Sequence, residues 1–134
     1  MLHPNQFQVN EAWIAFKLND APIKTEEDGS FDCICLMDAA SCFILGNVFV
    51  AKNASEPSTL EARRLLKTGW EHHKQFPSTL FVPTGQFQTH LPAEAERRGI
   101  AVVPVHESQL LAFIGEARQG FREHLQGGDP ASEA

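Results

Sequence analysis

The stretch FDCICLMDAASCFILGNVFV, from Phe31 to Val50, holds two apolar runs rich in Ile, Val, Phe and Cys, separated by the small polar segment Asp38 to Ser41. Residues of this kind, in runs this short and bounded by turn-forming residues, predict two adjacent strands paired antiparallel. The polar, Gly-containing segment Glu26 to Ser30 isolates the first run from what precedes it, and Gly46 marks a candidate bulge within the second.

Downstream the period changes. From Ser58 to Gln75 the residues Leu60, Ala62, Leu65, Leu66, Trp70 and His73 gather on one side of a helix, with Glu61, Arg64, Lys67 and Glu71 outside. Ser58 and Glu61 have capping-box spacing, and Phe76-Pro77 ends the helix. Ser78 to Val82 is a short apolar strand stopped by Pro83, Thr84 and Gly85. Phe87 to Arg98 is expected to form a second helix, with Gly99 as the left-handed residue past its end. Ile100 to Val105 is another strand, placed near an edge by Pro104. Ser108 is the expected N-cap of a last helix whose positions Leu110, Leu111, Ile114, Ala117, Phe121 and Leu125 follow the helical period. Strands alternating with helices imply βαβ crossovers and an α/β domain with a sheet covered on both faces. Glu11 to Leu18 fits a strand or a short helix equally well.

The chain has 134 residues, 43% of them hydrophobic and 21% charged, with no composition break. One domain over residues 1–126 is expected, with a core of about 31–125 and a flexible tail at 127–134 after the stop Gly127-Gly128-Asp129-Pro130. No apolar run approaches the roughly 20 residues a membrane span needs. Met1 to Asn10 lacks the basic cluster and apolar core of a secretory signal, so the expected location is the cytoplasm. Cys33, Cys35 and Cys42, an odd set in one apolar region, are expected to be reduced core thiols rather than disulfides or zinc ligands.

The formal net charge is −6, and the 11 Lys and Arg are scattered. Nucleic-acid binding draws on phosphate contacts, so this balance disfavours DNA or RNA as partner, although the helix bearing Arg63, Arg64, Lys67 and Lys74 can still present a local basic face. Trp13, Trp70 and the Phe residues are not interleaved with basic residues along the chain and are expected in the core.

The order of elements and three local motifs resemble the catalytic core of the retroviral integrase and DDE transposase superfamily. The segment Leu36-Met37-Asp38-Ala39-Ala40-Ser41-Cys42-Phe43 looks like that family's first-strand Asp with the Ser that follows it. Leu80-Phe81-Val82-Pro83-Thr84-Gly85-Gln86-Phe87 resembles the motif of the second Asp, but Pro83 stands where the acid belongs. Phe113-Ile114-Gly115-Glu116-Ala117-Arg118 looks like the helix with the catalytic Glu, and Glu116 follows Pro83 at close to the family's spacing. The resemblance spans roughly Phe31 to Leu125. It implies a three-layer ribonuclease H-like domain with a mixed central sheet flanked by helices.

It also implies a catalytic and metal-binding pair, Asp38 and Glu116, and a missing third ligand. Two-metal phosphoryl transfer needs carboxylates that hold two cations about 4 Å apart. Proline supplies none. The expected protein is therefore a non-catalytic binding or assembly module with no cofactor, whose partner is another protein or a second copy of itself. The alternative is a nuclease or polynucleotidyl transferase using Mg²⁺ or Mn²⁺ on Asp38, Glu116 and an acid from elsewhere, such as Glu107. Outside the resemblance, Asp38 can equally accept backbone hydrogen bonds in the turn to Ser41, and Glu116 can be a solvated flank residue. His72 and His73 are adjacent and cannot share a metal, and His90, His106 and His124 stand alone. A Cys42 or Ser41 nucleophile assisted by one of them is the least supported reading.

Overall fold

In the computed structural model, residues 2–19, 23–25, 29–54 and 56–126 are described. Six strands and three α-helices are formed by these residues: β1 Ala12–Lys17, β2 Ile23–Thr25, β3 Gly29–Asp38, β4 Ile44–Ala51, α1 Thr59–His73, β5 Thr79–Pro83, α2 His90–Arg97, β6 Ala101–Val105 and α3 Leu111–Gln126. The expected tail at 127–134 lies outside the described residues, as do the side chains of His124 and Leu125.

The sheet is mixed. β1 runs antiparallel to β3 and parallel to β5, and β5 runs parallel to β6. β4 pairs with β3 on the side away from β1, because Ile34 is matched by Val48 on one side and by Lys17 on the other. The segment that fitted strand or helix equally well is thus the central strand. Its residues Ala12 to Phe16 are all buried, since helices cover both faces, and a buried strand of this kind has no polar alternation.

Alternation along the strands sorts the core into two layers. Trp13, Ala15, Ile34 and Leu36 pack under α1 and α2 with Leu65, Leu66 and Leu91. Ile14, Phe16, Cys33, Cys35 and Met37 pack under α3 with Phe113 and Ile114. Cys33 and Cys35 share the α3 face as expected, and the three cysteines are free thiols.

The α1 capping box is formed: Ser58 Oγ accepts from the Glu61 N–H and Glu61 accepts from the Ser58 N–H. The buried line of α1 differs from the expected one. It runs Ala62, Leu65, Leu66 and Gly69, while Leu60 points to solvent and Trp70 is half-buried. Gly69 lets the helix approach the sheet closely, since a Cβ there would lie 2.8 Å from the Trp13 ring. The register between β3 and β4 skips Leu45, a bulge beside Gly46 as expected. α2 begins at His90 rather than Phe87, and Gly99 takes the left-handed conformation after it. Ser108 is not an N-cap. It lies inside a 3₁₀ turn, Glu107–Leu110, that leads into α3.

Candidate functional site

Of the three positions picked out by the resemblance, Asp38 and Glu116 both lie near Cys42, and Pro83 does not join them. Asp38 ends β3, not the first strand, and β1 carries no acid in Ala12–Lys17. The Asp38 carboxylate is buried and fully engaged: Oδ1 accepts from the Asn10 N–H at 2.7 Å, and Oδ2 accepts from the Ser41 N–H at 2.9 Å and the Ser41 hydroxyl at 2.7 Å. Its backbone closes the β3–β4 connection, donating to the Phe43 carbonyl and accepting from the Cys42 N–H. This is the turn reading of Asp38, extended by a tie to the N-terminal segment. Asn10 carries that tie onward, accepting from the Trp13 indole N–H and donating to the Gln75 carbonyl.

Pro83 lies at the opposite end of the sheet. Asp38 pairs with Trp13, and continuing the β1–β5 register brings Pro83 level with Phe16. That is three residues, about 10 Å, further along the strands. Glu107 follows β6 beyond the same end, so the approach of Glu107 to Asp38 required for a three-acid site does not occur.

A different polar cluster occupies the carboxyl ends of β1 and β5. Arg118 donates from Nε and Nη2 to the Lys17 carbonyl, at 3.0 and 2.8 Å, and its Nη1 forms an ion pair with Glu107. Gln86 Nε2 donates to the same Glu107. Lys17, Asn19, Gln86, Glu107 and Arg118 line a shallow cavity of about 210 Å³ there. The strand residue on its α3 face is Phe16, fully buried. Sequence reading missed Arg118, because nothing local to α3 signals a partner 101 residues away on β1.

Glu116 faces elsewhere. Two residues along a helix are about 200° apart, so Glu116 and Arg118 point to opposite flanks of α3. Glu116 lines a cleft with Pro4, Met37, Cys42, Ile44 and Phe113. Burial pushes the Cys42 thiol up, and the charges of Glu116 and Asp38 push it further the same way. A nucleophilic cysteine needs the reverse shift. Ser41 donates its hydroxyl proton to Asp38 with no histidine between them, and His72 donates from Nε2 to the Leu45 carbonyl. The geometry therefore assembles no Ser or Cys triad among the described residues.

A metal pair of the kind the sequence resemblance implies fits these residues poorly. Phe16 and Pro83 offer no ligand, Glu107 already carries a guanidinium, and no three His, Cys, Asp or Glu gather among the described residues.

The local basic face expected on α1 is formed, and what was not foreseen is the aromatic floor it surrounds. Trp70 is half-buried, and with Phe76 it floors a groove of about 320 Å³ whose rim is Arg63, Arg64, Lys67 and Arg98. Lys74 Nζ lies 5.0 Å over the indole. Trp70 was expected in the core, although Lys67 and Lys74 stand three residues before and four after it, the spacing of neighbours on one helix face. Arg98 reaches the same groove from the end of α2, which no local pattern in the sequence shows.

No family model and no curated relative matches the sequence. Solved structures do match in fold. The simian T-cell lymphotropic virus intasome in complex with the PP2A regulatory subunit B56 gamma contains a chain with a TM-score of 0.56 and 13% identity, over 83% of this chain and 37% of that one. The HTLV-2 integrase catalytic core domain in complex with magnesium, in a dimeric form, gives a TM-score of 0.52 and 11% identity, over 81% of this chain and 82% of that one. The protein is thus an α/β domain with the fold of retroviral integrase catalytic cores, and it spans little more than a third of the intasome chain.

Proposed function

We propose that this chain is a non-catalytic binding or assembly module on a ribonuclease H-like scaffold. The observation that carries the reading is Arg118, whose guanidinium sits at the carboxyl ends of β1 and β5 between Glu107 and the Lys17 carbonyl. Two-metal chemistry needs converging carboxylates. A fixed cation at this end of the sheet repels Mg²⁺ or Mn²⁺ and occupies Glu107, the one carboxylate lining the cavity among the described residues. Three unpaired thiols, two of them buried, support a reducing compartment such as the cytoplasm.

Calorimetric titration with Mn²⁺ tests the reading without a guess at substrate. The wild-type protein should give no saturable heat. Saturable binding that disappears in Glu107→Gln or Glu116→Gln would overturn it in favour of a metal-dependent nuclease or polynucleotidyl transferase.

The module has a surface suited to assembly. β4 pairs only with β3, so its outer edge is open among the described residues. Ile44–Ala51 contains no charge and no proline, and Phe49 within it is 56% exposed. Such an edge is a template for another strand. The opposite edge, β6, is shorter and carries Pro104. A second copy of this chain, paired antiparallel through β4, is the occupant proposed, because a strand of this kind is its own complement about a two-fold axis.

A further inference from the structure

Six of the eleven Lys and Arg of this acidic chain, Arg63, Arg64, Lys67, Lys74, Arg97 and Arg98, belong to α1, α2 and their immediate flanks. Glu94, only 3% exposed, organises three of them. Its Oε1 accepts from Arg63 Nε and Arg98 Nη1, at 3.0 Å each, and its Oε2 lies 3.8 Å from Arg97. One buried carboxylate thus fixes guanidiniums from two helices at the mouth of the groove and leaves most of their charge uncompensated. Arg64 and Lys67, on the outer face of α1, form no ion pair among the described residues.

The floor is apolar where the rim is cationic. Trp70 and Phe76 meet with ring centroids 6.5 Å apart, and Lys74 covers one face of the indole. At about 320 Å³ the hollow is near the lower limit of ligand pockets and suits one large apolar side chain. The cations follow α1 with Arg98 added from the end of α2, but the aromatic surface among them is confined to the one hollow of Trp70 and Phe76. Nucleic-acid grooves follow a backbone, placing cations and stacking rings in succession. A single aromatic hollow edged by cations instead complements one apolar anchor flanked by carboxylates, which arginine forks bind in two-point fashion.

We infer that the groove between α1 and the end of α2 is a docking site for an acidic peptide segment of a partner protein, anchored by an aromatic side chain. The inference rests on the module reading and names its partner class. Aromatic and arginine anchors of this kind carry most of the energy in protein interfaces. The attraction is exposed to solvent, so salt weakens it.

The test is fluorescence anisotropy with a labelled synthetic peptide of three acidic residues on each side of a phenylalanine, at low ionic strength. Saturable binding is expected, weakened about tenfold or more by Arg64→Gln/Lys67→Gln, two exposed changes that leave the fold intact by circular dichroism. Replacing the peptide's phenylalanine by glycine should weaken it comparably, which tests the anchor without disturbing Trp70. No binding, binding indifferent to the phenylalanine, or tighter binding of an oligouridine through the same residues would each overturn the inference, the last assigning the groove to nucleic acid. Mn²⁺ titration of the same preparation separates the two levels: failure of the peptide with no metal binding removes the groove alone, and saturable metal binding removes the module reading itself.

Discussion

Asp38 shows how one acid at a strand end supports two opposed readings. The spacing Asp38 to Ser41 is visible in the sequence, and so is the turn it makes. The N–H of Asn10 is not visible, because it arrives from 28 positions away once β1 has paired with β3. With three donors on two oxygens, the carboxylate has little left for a cation. Its removal should therefore appear in stability and not in metal affinity. Asp38→Ala leaves two backbone donors and a hydroxyl without their acceptor in a partly exposed turn, at a cost of roughly 1–2 kcal/mol. Urea denaturation measures this directly. A variant as stable as the wild type would show that the turn does not depend on the carboxylate.

At the level of elements, legibility followed exposure. α1 announced itself through a capping box and a helical period: the box is formed, and the buried line keeps Ala62, Leu65 and Leu66 but takes Gly69 in place of Leu60 and Trp70. β3 and β4 were visible as apolar runs around a turn. β1 was not, because a strand buried on both faces offers the same short apolar run as a buried helix turn. The joint between α1 and α2 was equally hidden, since Glu94 reads as an ordinary helix acid until Arg63 comes from 31 residues away. Burial alone would raise the Glu94 pKa. Hydrogen bonds from Arg63 and Arg98 and the charges of Arg63 and Arg97 outweigh it and hold the carboxyl below the usual glutamate range. A folded-state pKa below the unfolded one adds stability that is complete above the unfolded value and is lost as pH falls through the folded value. Acidification from neutral pH should thus erode wild-type stability below the ordinary glutamate range. Glu94→Gln should be less stable at neutral pH, and the gap should close on the acid side. Melting temperatures across that range provide the check; parallel curves for the two proteins would remove the clamp from the account of stability.

For the whole molecule, charge and surface pull against each other. A net charge of −6 keeps copies apart at long range, while the β4 edge between Ile44 and Ala51 brings no charge to the seam where two copies would meet. The repulsion acts through solvent and is screened over about 10 Å at 0.1 M salt. The strand hydrogen bonds and the Phe49 contact are short-ranged and hardly screened. Raising salt should therefore strengthen self-association through β4, opposite to its effect on an acidic peptide in the groove of Arg64 and Lys67. Sedimentation velocity at rising protein concentration should show a monomer–dimer equilibrium that shifts toward dimer between low salt and about 0.5 M. Phe49→Lys, which puts a charge on the exposed edge as natural edge strands do, should hold the protein monomeric with an unchanged circular dichroism spectrum. A wild-type protein that stays monomeric at every salt concentration would rule out the β4 dimer, and a dimer that survives Phe49→Lys would place the interface on another surface.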